Sequence, residues 1–155
     1  MKISAPFCYL FLTLFLLSTI KTKAQDYQSE VRLTVDKFFD GMRSGDSAAV
    51  RSIILPGATL SSVLINANDS LKADKSSFER FIKAIGTPHK EIWDERIYDV
   101  KILTDGPMAT VWAPYKFYLG DKFSHCGVNV FLLGKDKAGW KILQITDTRR
   151  KTDYL

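Results

Sequence analysis

From His89 onward the sequence offers four long strand candidates with little between them but tight-turn chemistry. They are Glu91–Thr104, Met108–Leu119, Lys122–Gly134 and Trp140–Arg149, separated by Asp105-Gly106-Pro107, by Gly120-Asp121 and by the stretch from Lys135 to Gly139. Connections this short join antiparallel neighbours, because parallel strands need a long crossover. The second half of the chain is therefore predicted to be an antiparallel meander. Gly120-Asp121 suits a two-residue type II′ hairpin, in which Gly takes the positive φ.

The first half reads as helical. Val31, Val35, Phe38, Phe39 and Met42 form one apolar stripe with a 3.6-residue period, which predicts a helix over 29–43. Gly45 supplies a left-handed stop, and Asp46 can cap a second, short helix over 47–55 that Pro56-Gly57 ends. Thr59 to Ile65 is rich in β-branched residues and reads as a strand, followed by a turn cluster over 66–70. Ser76 and Glu79 have capping-box spacing for a third helix, whose stripe is Phe78, Phe81, Ile82 and Ile85 and whose stop is Gly86 before Thr87-Pro88. Helices first and a meander after argue an α+β fold, with three helices packed on one face of a curved, mostly antiparallel sheet.

Residues 1–24 stand apart. Lys2 opens a nearly uninterrupted apolar run from Pro6 to Ile20, and Thr22 and Ala24 are small residues at the positions a signal peptidase reads. The run is short for a bilayer span, so a signal peptide cut after Ala24 is expected, with an uncleaved anchor as the alternative. The domain organisation is then a leader, 1–24, and one domain, 25–155. Of the formal charge of +5, three units belong to Lys2, Lys21 and Lys23 of the leader, leaving +2 for a domain with no electrostatic footprint for nucleic acid. Cys8 departs with the leader, so Cys126 has no internal disulfide partner. The expected setting is secreted or periplasmic, with no membrane association after cleavage.

The order of elements resembles the nuclear transport factor 2-like superfamily, which includes SnoaL-like polyketide cyclases and ketosteroid isomerases. Within it the chain is similar to exported bacterial proteins labelled lumazine-binding-like. The resemblance spans Tyr27 to Arg149. It rests on Arg43-Ser44-Gly45-Asp46, on the run from Phe117 to Gly127 that contains Gly120-Asp121-Lys122-Phe123-Ser124-His125-Cys126, and on Gly139-Trp140-Lys141-Ile142 continuing to Asp147-Thr148-Arg149. It implies a cone in which helices close over a bent sheet and leave a pocket at the open end, and a homodimer through the outer sheet face. It fixes no reaction, since the fold hosts both enzymes and binding proteins.

An ideal Gly120-Asp121 turn sets a register in which Tyr115 faces Cys126, Ala113 faces Val128 and Val111 faces Val130. That face is apolar and should meet the helices. Lys116 would pair with His125, Trp112 with Asn129 and Pro114 with Gly127 on the other face. A Pro opposite a Gly in mid-strand suggests a bulge, and a one-residue bulge there would move His125 across. His125 is the polar residue best suited to proton transfer near neutral pH. Asp147 comes near it if the last two strands pair. Tyr115 and Tyr98 offer hydroxyl donors of the kind that the isomerases place on an enolate-like oxygen. Asn129, Trp112, Trp93 and Tyr98 are candidate ligand-binding residues, with packing as the alternative for each aromatic. Trp140 is expected to anchor the last strand.

His89 and His125 are the only histidines, and no His-x-x-x-His or Cys-x-x-Cys spacing occurs, so no metal site and no cofactor are expected. Cys126 reads as a small buried hydrophobe, and Arg149-Arg150-Lys151 as a solvated tail. Three functions follow. The first is a non-catalytic pocket for a small apolar or aromatic molecule. The second is an isomerase, dehydratase or cyclase using His125 oriented by Asp147, with Tyr115 stabilising an oxyanion. The third is an interaction module exposing Trp112, Tyr118 and Phe131 on the outer sheet face.

Overall fold

A computed structural model describes residues 26–152 apart from Ala67; the expected leader and its cleavage site lie outside the described residues. Helix α1 covers 26–44. After it come α2 (Ser47–Ile53), β1 (Ile54–Ile65), β2 (Leu71–Ser77), α3 (Phe78–Gly86), β3 (Trp93–Ile97), β4 (Lys101–Asp105), β5 (Met108–Leu119), β6 (Lys122–Asp136) and β7 (Gly139–Thr148). One seven-stranded sheet has the order β2-β1-β7-β6-β5-β3, with β4 also on β5. Every pairing is antiparallel except β1 with β7. The three-helix α+β cone read from the sequence is the architecture observed.

The helix stripes do what their period requires. Val31, Val35, Phe38, Phe39 and Met42 are buried, and they cluster with Phe131, Leu133 and Ile142 of the sheet. Phe38 and Phe39 each meet the Phe131 ring edge-on, with centroids 5.9 Å apart. Gly45 has φ +73°, and the Asp46 carboxylate accepts from the Ala49 N–H at 2.9 Å, capping α2. The Trp140 indole is buried and donates to Glu30 of α1 at 2.9 Å, which ties the last strand to the first helix.

Four local expectations need correction. Helix α2 stops at Ile53, and the chain is already extended through Pro56-Gly57; Gly57 at φ +85° absorbs an irregularity between Ile54 and Thr59. Residues 71–77 form an edge strand that no pattern announced, because Leu71-Lys72-Ala73-Asp74-Lys75-Ser76-Ser77 is exposed throughout and has no apolar face to bury. The Ser76–Glu79 capping box does not form: Ser77 is the N-cap without a side-chain bond, and Glu79 pairs instead with Arg51 at 2.7 Å. The stretch 91–104 is two strands, β3 and β4, that follow one another along β5; Asp99 at φ +46° turns the chain between them.

The hairpin expectation holds only at its tip. Leu119 pairs with Lys122, and the positive φ falls on Gly120. Ser124 is then bulged out, so Phe117 pairs with His125 and each later partner slips by one. Tyr115 faces Gly127 rather than Cys126, Ala113 faces Asn129, Val111 faces Phe131, and Lys116 faces Cys126. Trp112 pairs with Val130 and Pro114 with Val128. The slip places His125, Gly127, Asn129 and Phe131 on the helix side. Gly127 is required there: a Cβ would sit 1.8 Å from the Thr148 carbonyl oxygen and 2.8 Å from the Tyr115 ring. Cys126 is turned to the outer side and buried under the chain after β7, with its backbone bonded both ways to Arg150.

Candidate functional site

At one end of the cone the helices do not reach the sheet. Phe38 and Met42 of α1 and Phe81 of α3 form the roof of a cavity of about 530 Å³. Leu60, Ile145, Phe117, Leu119 and Trp93 supply apolar walls from the strands, and Ser62 and Ser76 stand among them. Trp93 is stacked on His89, with ring centroids 4.6 Å apart and planes within 5°. The other polar residues on the cavity are Glu95, His125, Asn129, Asp147 and Arg149. Strand alternation brings them together: Asn129 pairs with Asp147 across β6 and β7, and Glu95 of β3 lies opposite Phe117 of β5.

Hydrogen bonds join four of these groups in two separate sets, and His125 belongs to neither. The Asn129 side-chain amide donates to Glu95 Oε1 at 2.6 Å. Arg149 Nε donates to Asp147 Oδ2 at 2.8 Å. The buried Tyr115 hydroxyl donates to the Thr148 carbonyl at 2.9 Å and stands 3.4 Å from Asp147 Oδ2. Asp147 is only 6% exposed, yet its Oδ1 is buried with no hydrogen-bond partner.

Burial pushes the Glu95 carboxyl up to about 7; the Asn129 bond and Arg149 pull it back, while the charge of Asp147 adds to the rise. Burial likewise drives the Tyr115 phenol well above its ordinary range, aided by the charges of Glu95 and Asp147, so it remains a neutral donor. Burial, and then Arg149, lower the His125 pKa, which leaves the imidazole neutral near pH 7. Burial opposes the charge of Arg149, but its bond to Asp147 and the charges of Asp147, Tyr115 and Glu95 together outweigh this, and its pKa is raised.

The expected site residues divide. His125 faces the cavity, with Nδ1 3.0 Å from Ser124 Oγ and its ring against Phe117 and Tyr115. Among the described residues Ser124 is its only hydrogen-bond partner, so Asp147 shares the cavity with His125 without orienting it. Asn129 and Trp93 line the cavity. Tyr115 lies beneath it, bonded to the backbone. Tyr98 does not reach it; its ring sits 5.9 Å from the Lys116 ammonium. Trp112 is on the outer sheet face, half exposed beside Val63, Val128, Val130 and Thr146. Phe131 is wholly buried and takes no part in that outer surface, and Tyr118 packs under the Arg96 guanidinium at 4.3 Å.

Two charged residues of the cavity are not among the sequence candidates. Glu95 carried a signal, since Trp93, Glu95 and Ile97 share one face of a strand and an acid between two inward apolar residues is out of pattern. Arg149 reads as part of a solvated tail, but it follows directly on β7, lines the cavity and is ion-paired with Asp147. Among the described residues no cluster of three His, Cys, Asp or Glu side chains could hold a metal ion.

A family model described as "Putative lumazine-binding" matches residues 26–146. No curated protein matches the chain. Solved structures do. A Novosphingobium aromaticivorans NTF2-like protein with a cystatin-like fold has TM-score 0.64 at 11% identity, over 88% of this chain and 90% of its own. A Streptomyces avermitilis protein titled a "putative dehydratase from the NTF2-like family" has TM-score 0.61 at 16% identity, over 83% and 98%. The CaMKII hub of S. rosetta has TM-score 0.60 at 18% identity, over 79% and 95%. At these identities the likeness is one of fold.

Proposed function

Because the chain belongs to the family described as "Putative lumazine-binding", within the nuclear transport factor 2-like superfamily, we propose that it is an exported protein that holds a small, largely apolar molecule in its cone without transforming it. The observation that carries this reading is the cavity itself. Its volume of about 530 Å³ and its aromatic and aliphatic walls with a few convergent polar groups are those of a small-molecule site. The family description supports the same reading. The export signal, with its cut after Ala24, belongs to the proposal; N-terminal sequencing of the mature protein checks it, and an N-terminus at Met1 rejects it. The test of the pocket is titration with N-phenyl-1-naphthylamine, a neutral apolar fluorophore. Saturation at one molecule per chain supports the reading, and no binding rejects it.

A second reading is favoured by Glu95, whose carboxyl titrates near neutrality beside Asp147 and Arg149. An isomerase or dehydratase begins by removing a proton next to a carbonyl. The groups suited to this are Glu95 and the neutral His125 ring; the His125–Asp147 pair of the sequence reading is not joined by a bond. Incorporation of deuterium from solvent at the α-carbon of 1-indanone, lost in Glu95→Gln, would favour catalysis. No exchange above the buffer rate would remove it for this ketone class.

We further propose that two copies associate through the outer sheet face, where Val63, Trp112, Val128 and Val130 line an apolar depression.

A further inference from the structure

Resting on the pocket reading, we propose that the ligand's polar end is cationic, a protonated amine or related ammonium group seated beside the Glu95 carboxylate, next to Trp93 and Phe117.

Glu95 stands on the cavity with one of its two oxygens spent. Oε1 accepts from the Asn129 amide at 2.6 Å, and Oε2 has no hydrogen-bond partner among the described residues. The partnerless side-chain atoms that are shut off from solvent are Asp147 Oδ1 and two nitrogens of Arg150. Glu95 is only half-buried and its Oε2 is not among them, so that oxygen keeps open surface. The space that Glu95 lines is the cavity. Two aromatic side chains stand beside it. Phe117 is its register partner on β5, where directly opposite Cβ atoms are about 5 Å apart. Trp93 precedes it by two residues on the same face of β3, roughly 6–7 Å along the strand. Both line the cavity, and a carboxylate among aromatic rings away from bulk water favours a cation over a neutral group. A cation there would also offset the cost of burying the Glu95 charge.

The surrounding charges point the same way. At Glu95 the charge of Asp147 acts more strongly than that of Arg149, whereas at His125 the order is reversed. The polar floor is thus negative at its Glu95 end and positive at its Arg149 end. A ligand ending in a carboxylate would meet Glu95 and Asp147 together, and Arg149 is already bonded to Asp147 at 2.8 Å. The chain as a whole is positive, at +5 with residues 1–24 and +2 without them. A general electrostatic pull would therefore favour an anion, so a preference for cations has to come from the cavity.

1-Naphthylmethylamine and 1-naphthylmethanol test this. They share one apolar bicycle and differ in an ammonium against a hydroxyl at the same place. NMR titration of the full mature protein at pH 8, where the ammonium and most of the Glu95 carboxyl are charged, should show both shifting cavity resonances. The amine should bind roughly tenfold or more tightly than the alcohol. In Glu95→Gln the two should bind alike. Equal affinities in the unaltered protein, or tighter binding of the alcohol, overturn the inference and leave the pocket reading standing, and this comparison needs no variant to fold. A preference for the amine that survives in folded Glu95→Gln also overturns it, since the cation then goes elsewhere. Binding of neither overturns the pocket reading, and the inference falls with it.

Discussion

The inner faces of β5, β6 and β7 have two ends, and the same strands treat them in opposite ways. At one end Val111, Phe131, Leu133 and Ile142 are wholly buried in one cluster with Val31, Val35 and Phe39. At the other end the inward residues are His125, Asn129, Asp147 and Arg149, and the roof of Phe38, Met42 and Phe81 stands off them by a cavity. Strand alternation alone cannot separate the two, because both ends alternate. What separates them is side-chain volume and polarity. Branched and aromatic residues meet the helices at the first end, whereas polar ones tied to neighbouring side chains line the second and leave space above. The packed end holds the fold together, and the open end is free to bind.

The sharpest way to break that contrast is to remove one ring from each end. Phe131→Ala should lower unfolding stability by about 3–5 kcal/mol, the cost of a large ring in a closed core. Phe117→Ala, on the cavity, should cost roughly 1–2 kcal/mol, because part of its surface already faces open space. Urea denaturation measures both. Equal costs would mean that the open end is in fact packed.

A smaller effect separates the ends by pH. Burial raises the folded-state pKa of Glu95 above its unfolded value, so the folded protein binds the proton more tightly. The stability associated with the protonated form is therefore complete below about pH 4.5 and is lost as pH rises through about 7. Glu95→Gln keeps the acceptor for Asn129 and cannot ionise. It should be more stable than the unaltered protein by roughly 3 kcal/mol near pH 8 and by less than about 1 kcal/mol near pH 5, in urea titrations at both values. A difference independent of pH would show that Glu95 is not desolvated.

The smallest expected change concerns the outer face. Trp112→Lys should alter unfolding stability of the single chain by less than about 0.5 kcal/mol, since the side chain is half exposed. It should nonetheless convert a dimer to a monomer in sedimentation velocity. An unaltered protein that sediments as a monomer would reject association through this face.

The fold was legible because its signals were periodic. The stripes of α1 and α3, the cap at Asp46 and the turn at Gly120-Asp121 each state a local geometry, and tertiary packing agreed with them. The edge strand β2 was not legible, since an exposed strand has no apolar face to write into its sequence. The site was half legible. His125, Asn129, Asp147 and Trp93 reach the cavity as candidates, but their common face depends on the bulge at Ser124. A Pro and a Gly in apposition hinted at such a bulge, though three residues from where it lies. Glu95 meets Asn129 through long-range strand pairing that no local pattern encodes, whereas Arg149 is held by Asp147, two residues before it.

The central claim is that the open end is a binding cavity, and titration with N-phenyl-1-naphthylamine of the unaltered protein beside Ser62→Trp tests it most directly. Ser62 lines the cavity with a small side chain, so the indole should fill the space and leave the packed end intact. The predicted result is one-to-one saturable binding by the unaltered protein, and its loss in a Ser62→Trp protein of unchanged thermal stability. Binding that survives unchanged in that variant would place the probe elsewhere and contradict the account.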